Sequence, residues 1–245
     1  MPFNINHNVK LTAATLFALL LSSYLFASSA HAAGEEGDIS KVNGRVRVMA
    51  NETAGEISSV NGGVTIGQNA SVGEVSSVNG SISIERGATA IEIESVNGSI
   101  DLADEVHVDS VEAVNGSLSL GREVMVKRSV ETVNGSIRID QGSTVGGGIE
   151  TVNGKINLTN VRVGDSVTTT NGDISLRNGT VIEGVIVYEG NHNFWNRWFK
   201  SKKRTPELTI DSSSVVKGDI HLYREVDLNI EDGAQVGEIK RHYLD

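Results

Sequence analysis

Val78-Asn79-Gly80-Ser81-Ile82-Ser83-Ile84 returns along the chain in near copies, and its spacing decides the fold. The dipeptide at its centre occurs as Asn43-Gly44, Asn61-Gly62, Asn79-Gly80, Asn97-Gly98, Asn115-Gly116, Asn134-Gly135, Asn153-Gly154 and Asn171-Gly172. Successive asparagines lie 18, 18, 18, 18, 19, 19 and 18 residues apart. A fixed period of this size means that each repeat is a small unit which cannot bury its apolar face alone and must stack on its neighbours. The expected fold is all-β: a single parallel β-solenoid of about ten turns, roughly 18 residues per turn, with one inserted loop.

The columns of the alignment carry that reading. Three residues before the valine that precedes each asparagine stands an apolar side chain: Ile39, Ile57, Val75, Ile93, Val111, Val130, Ile149 and Val167. After each dipeptide the chain alternates apolar and polar, as in Ser136-Ile137-Arg138-Ile139, with a period of two that belongs to a strand. β-Branched residues on such a pattern favour strand over helix. Ile93 and Val96 are three apart, so a corner or bulge is expected between them. The Asn-Gly steps are expected to form one corner of the coil. There glycine would accept a positive φ, and each asparagine amide could bond its own backbone or the asparagine one turn away. The alternative, a hairpin at each Asn-Gly, does not explain why identical residues recur on the same side of every strand.

Composition fits a thin core with many turns: Gly 27 and Pro 2 in 245 residues, and 4% aromatic. Cysteine is absent, which excludes disulfides, thiolate metal sites and a cysteine nucleophile. Residues 1–32 differ in kind. An apolar run from Leu11 to Ala27 is followed by Ala30-His31-Ala32, an Ala-x-Ala pattern, and then by acidic residues. This reads as a signal peptide, with an uncleaved anchor helix as the alternative. The expected destination is periplasmic, outer-membrane-associated or secreted. Residues 33–190 then form the Val-Asn-Gly solenoid, 191–205 a basic aromatic loop, and 206–245 further solenoid turns and a tail.

The whole chain has a formal net charge of −10, a poor surface for nucleic acid. The segment 191–205 breaks that trend. It contains Phe194, Trp195, Arg197, Trp198, Phe199, Lys200, Lys202, Lys203 and Arg204, with no acidic residue and both tryptophans of the protein. Such a segment suits a loop leaving a corner, where repeat proteins carry binding features. Aromatic rings beside cations fit anionic lipid headgroups or an envelope polysaccharide. Two alternatives are a protein partner, or aromatics folded back over the solenoid flank.

Beyond the insertion the strand rhythm resumes without Asn-Gly, in Val216-Lys217-Gly218-Asp219-Ile220 and Val236-Gly237-Glu238-Ile239. These turns, with Val145-Gly146-Gly147-Gly148-Ile149, resemble those of bactofilins, the polymer-forming β-helices of bacteria. The Val-Asn-Gly-Ser-Ile series resembles a bacterial family of exported proteins built from repeated adhesin-like β-strands. The resemblance covers residues 38 to 240. It implies a structural, adhesion or assembly role in the cell envelope, with self-association through the solenoid ends or a Ser-rich face.

Candidate chemistry is sparse, and no cofactor or metal is implied. His107, His192, His221 and His242 share no repeat column and read as isolated. Glu94, Glu112, Glu131 and Glu150 do share one. Like charges one strand apart repel, so this row binds cations, meets basic partners or points into solvent, with solvent the preferred reading. A Ca²⁺ row would want carboxylates in the next column, where Ser95, Ala113, Thr132 and Thr151 stand. The outward column after Asn-Gly runs Arg45, Gly63, Ser81, Ser99, Ser117, Ser136, Lys155 and Asp173, and two further on Arg47, Thr65, Ser83, Asp101, Ser119, Arg138, Asn157 and Ser175, a flat Ser-rich face suited to association. A carbohydrate-active β-helix enzyme is the alternative function; it requires an acid and base clustered across turns, which the columns do not offer.

Overall fold

The computed structural model describes residues 37–190 and 204–243. It is a parallel β-solenoid of about eleven turns, one more than the repeats foretold, and the described residues contain no helix. One coil shows the plan. Ile57–Asn61 forms the first side, the Asn-Gly corner follows, Val64–Ile66 forms the second side, and Ser71 lies on a short third side. The third side begins as bridges from Thr53 to Ser71 and from Ser71 to Thr89. It becomes continuous with the first side in two long strands, Thr89–Asn97 and His107–Asn115.

Every pairing is parallel and in register with the repeat: Ile57 beside Val75 and Val75 beside Ile93, with Val64 beside Ile82 and Ile82 beside Ile100 on the second side. A parallel ladder requires the same inward column in every turn, since a slip of one residue would turn the apolar set outward. The core therefore consists of stacked identical positions. Ile57, Val64, Ile66, Ala70 and Val72 from one coil lie under Val75, Ile82, Ile84, Ala88 and Ala90 of the next, all buried. Each larger aliphatic side chain so enclosed stabilises by about 1.5–3 kcal/mol. In the last coil Leu228, Ile230, Val236 and Ile239 are only partly buried against that core.

Two local expectations are corrected. Neither corner nor bulge falls between Ile93 and Val96, which lie in one strand paired in unbroken register; Ile57 and Val60 likewise share one strand. Ile57 enters the core, whereas Val60 is on the outer face and belongs to no core cluster. The inner position between them is held by a small residue, Ser59, Ser77, Ser95, Ala113, Thr132, Thr151 or Thr169. Several of these hydroxyls face the corner. Ser59, Thr132 and Thr151 donate to the carbonyls of Gly62, Gly116 and Gly135 at 3.0, 3.0 and 3.1 Å.

The second correction concerns φ. Of the eight corner glycines only Gly44 has a positive value, 99°. Positive φ occurs instead at the corner after the second side, at Asn51, Asn69, Gly87, Glu105, Glu123, Gly142, Asn160 and Asn178. The Asn-Gly glycines are required for a different reason. A Cβ on Gly62, Gly80, Gly98, Gly116, Gly135, Gly154 or Gly172 would overlap the carbonyl oxygen of the glycine one turn earlier. Stacked backbones approach too closely there for any side chain.

Candidate functional site

The Asn-Gly corner carries an unbroken row of side-chain hydrogen bonds on the surface. Each asparagine amide donates to the side-chain oxygen of the asparagine one turn earlier, from Asn61 to Asn43 at 3.3 Å through to Asn171 to Asn153 at 2.9 Å. The intervening steps at Asn79, Asn97, Asn115, Asn134 and Asn153 span 2.9–3.1 Å. The expected bond between asparagines of adjacent turns is therefore present at every step. Such a chain satisfies one donor and one acceptor per residue and leaves an open acceptor at its end. Arg224 takes that place: its Nη1 donates to Asn171 Oδ1 at 2.6 Å and to the carbonyl of Thr170 at 2.7 Å.

At the next turn the corner changes. The first-side strand Ile186–Tyr188 carries Tyr188 in the column of the small inner residues, opposite Thr169 and Leu222. Tyr188 is fully buried, and its hydroxyl donates to the carbonyl of Glu207 at 3.0 Å. Burial pushes its phenol well above the ordinary value. Here the insertion leaves the coil. The second side resumes at Glu207–Ile210, with Leu208 beside Ile174 although they are 34 residues apart. The stack thus closes around the insertion without losing register.

Of the nine candidate contact residues, Arg204 lies within the described structure, and the other eight lie outside the described residues. The Arg204 guanidinium pairs with Asp173 at 3.0 Å. Asp173 also pairs with Lys155 at 3.1 Å and accepts from the backbone N–H of Glu207 at 3.1 Å. These partners outweigh its partial burial and hold its carboxyl below the usual carboxylate value. Asp173 therefore braces the point where the insertion returns, and it already neutralises one of the segment's cations. The signal-peptide reading of residues 1–32 also lies outside the described residues.

The glutamate column behaves unlike the solvated row expected. Glu94, Glu112, Glu131 and Glu150 are adjacent in register on the outer face of the first side. Glu94 is nevertheless buried, at 4% exposure. Burial, reinforced by Glu74, Glu92 and Glu112, pushes its carboxyl up to about 8. Glu112 rises to about 7, first through burial and then through Glu131 and Glu92, with Arg128 opposing. Glu92 is supported differently, accepting from Ser110 at 2.9 Å with Arg128 at 3.7 Å. The described residues contain no group of three or more His, Cys, Asp or Glu able to hold a metal ion.

Part of the Ser-rich row has a structural use. The Ser117 and Ser136 hydroxyls accept the backbone N–H of Ser136 and Lys155, at 3.3 and 3.2 Å. The histidine expectation is overturned at one place. His221 and His242, in different columns, meet with Nδ1 and Nε2 3.0 Å apart. Column analysis missed the pair because His242 follows the last strand, outside the repeat.

Comparison with known proteins is confined to one segment. No curated protein and no solved structure is found to match the chain. Residues 74–188, a little under half of the sequence, match the family model described as Toastrack DUF4097. That match begins in the third turn and ends at Tyr188, so it takes in the six Asn-Gly corners from Asn79 to Gly172, while the first two corners and the insertion with its succeeding turns lie outside it.

Proposed function

We infer that this chain is a non-enzymatic β-solenoid of the bacterial cell envelope, exported by its N-terminal leader and used for structure, adhesion or assembly, with residues 191–205 as its contact with an anionic surface. The observation that carries the reading is the way the insertion is seated. It leaves after Tyr188 and Gly190 and returns before Glu207, while the sheets on either side keep their register. Thr169 and Tyr188 are 19 apart and Ile174 and Leu208 are 34 apart, so 15 extra residues leave and rejoin the stack between the described strands Ile186–Tyr188 and Glu207–Ile210. The composition of that segment, aromatic and cationic in an acidic protein, supports lipid headgroups or acidic polysaccharide as the surface. The adhesin-like and bactofilin-like features of the sequence agree with an assembly role, for which the Ser-rich face beside the Asn-Gly corner is the further contact surface.

The test is sedimentation of the full mature chain with anionic vesicles and with neutral ones. Replacing Lys200, Lys202 and Lys203 by Gln is expected to weaken anionic binding and flatten its salt dependence, since screening shortens to about 8 Å at physiological ionic strength. Arg204→Gln is expected to have a smaller effect, because that cation is already paired with Asp173. Trp195→Ala with Trp198→Ala is expected to weaken binding at every salt concentration. Unchanged binding in both multiple variants, with lower thermal stability in the tryptophan variant, would make the segment a structural cover and overturn the reading.

A further inference from the structure

The last coil is fastened by contacts that do not follow the repeat. Ile239–Arg241 pairs in parallel with Ile220–Leu222, and Lys240 stands beside His221. The backbone N–H of His242 donates to the carbonyl of Leu222 at 2.8 Å. Beyond that bond the two imidazoles meet, Nδ1 of His221 to Nε2 of His242, 3.0 Å apart. Their planes differ by 14° and their centroids are 5.3 Å apart, the separation that results when two ring nitrogens face each other along the line joining the centres. Tyr223 lies against His242 with centroids 4.4 Å apart and planes at 15°.

A head-to-head contact of two ring nitrogens needs one N–H and one lone pair. It can be made by two neutral rings or by one neutral and one charged ring. Two charged rings present two N–H groups to one another and cannot make it. The surrounding groups do not remove this restriction. Asp219 is the one acid acting on His221, and it already accepts the Lys240 ammonium and the backbone N–H of Glu238, the latter at 3.1 Å. Lys240 adds like charge, and Arg241 follows it in the same strand. The strand on the other side offers His221 only Val187.

We propose that His221 and His242 form a proton-sensitive latch that holds the last coil, Gln235 to Tyr243, against the coil before it. The latch is closed while at least one of the facing nitrogens is unprotonated. It opens when both rings are charged, releasing Ile239–Arg241 from Ile220–Leu222 and freeing an edge of the stack. The direction follows from linkage. In the undocked coil both rings take protons near the ordinary histidine value of about 6.5. Burial, with His242 and Lys240 assisting and Asp219 opposing, holds His221 below its ordinary value in the docked coil. The docked coil then binds fewer protons, so docking is complete above about pH 6.5 and weakens as the pH falls below it.

Amide hydrogen exchange on the full chain at pH 7.5 and 5.0, corrected for intrinsic rates, tests this. Residues 239–243 are expected to lose protection by about tenfold or more at pH 5.0, while Leu118–Leu120 keep theirs. His242→Gln is expected to remove that pH dependence, and His107→Gln to leave it intact. Should His242→Gln fail to dock at pH 7.5, imidazole ¹⁵N titration of the unmodified chain decides. Two coupled steps, the second suppressed, are the expected result. Independent titration of both rings near 6.5, equal protection at both pH values, or the same pH dependence in His242→Gln would each overturn the latch.

Discussion

The corner between the first and second sides is built in two ways along the same stack. From Asn43 to Gly172 it is narrow: an asparagine chain ties each turn to the last, and glycine backbones touch. From Tyr188 onward it is wide. Tyr188 fills the inner position, Arg224 closes the asparagine chain, and residues are added where two had sufficed. Close glycine stacking also occurs at another corner, alongside the Asn-Gly stack at Gly146 and Gly164 and beyond it, where a Cβ on Gly218 or Gly237 would overlap the carbonyl of Gly184 or Gly218. The difference teaches that crowded corners hold the period at 18 or 19, and that the insertion enters at the corner where the crowding is lost. Where that crowding is relieved, the coil tolerates an insertion, since loop closure entropy rises only slowly with length.

The sharpest way to break the comparison is at the crowded corner. Gly116→Ala places a Cβ on the backbone oxygen of Gly98 and is expected to cost on the order of 4 kcal/mol, read from denaturant unfolding. Gly44→Ala, with nothing within 4 Å and only a positive φ to oppose it, is expected to cost about 1 kcal/mol. Equal losses at the two positions would remove backbone crowding as the cause of the period.

Tyr188→Ala, at the wide corner, is expected to cost about 3–5 kcal/mol through the cavity it leaves. Tyr188→Phe separates the hydroxyl from the ring: the Glu207 carbonyl loses its donor, for an expected loss of about 1 kcal/mol.

The glutamate row belongs to the narrow region and gives a pH signature. Glu94 has a folded value of about 8 against an ordinary 4.5, so the native state holds its proton longer than the unfolded chain does. The contribution of Glu94 to stability is thus expected to be full below about pH 4.5, to decline as pH rises towards 8, and then to level off. Glu94→Gln should stabilise the chain at pH 8 by on the order of 1–3 kcal/mol and flatten the decline, measured as the unfolding midpoint against pH. A wild-type midpoint that rises through this range would contradict the buried, neutral carboxyl.

The smallest effect is expected from the asparagine chain itself. Asn115→Ala removes the bonds to Asn97 and from Asn134, at 3.0 and 2.9 Å. Both partners are exposed to water that can replace them, so a loss of about 1 kcal/mol or less is expected by thermal unfolding. A loss comparable to that of Gly116→Ala would move the origin of the period from the glycines to the asparagines.

The sequence by itself determined the strand direction, the inward columns and the Asn-Gly corner, because each depends on residues of one column touching their counterparts a turn away. A contact repeated at every turn leaves a period, and Ile57, Val75 and Ile93 display it. Only the tertiary structure decided why the corner needs glycine, since positive φ and backbone crowding select the same residue. It also decided the depth of Glu94, which depends on surroundings and not on alternation. The joining of His221 to His242, of Arg224 to Asn171 and of Asp173 to Arg204 was hidden for one further reason. In each pair at least one partner lies where the repeat has lapsed, so three-dimensional proximity leaves no spacing in the sequence.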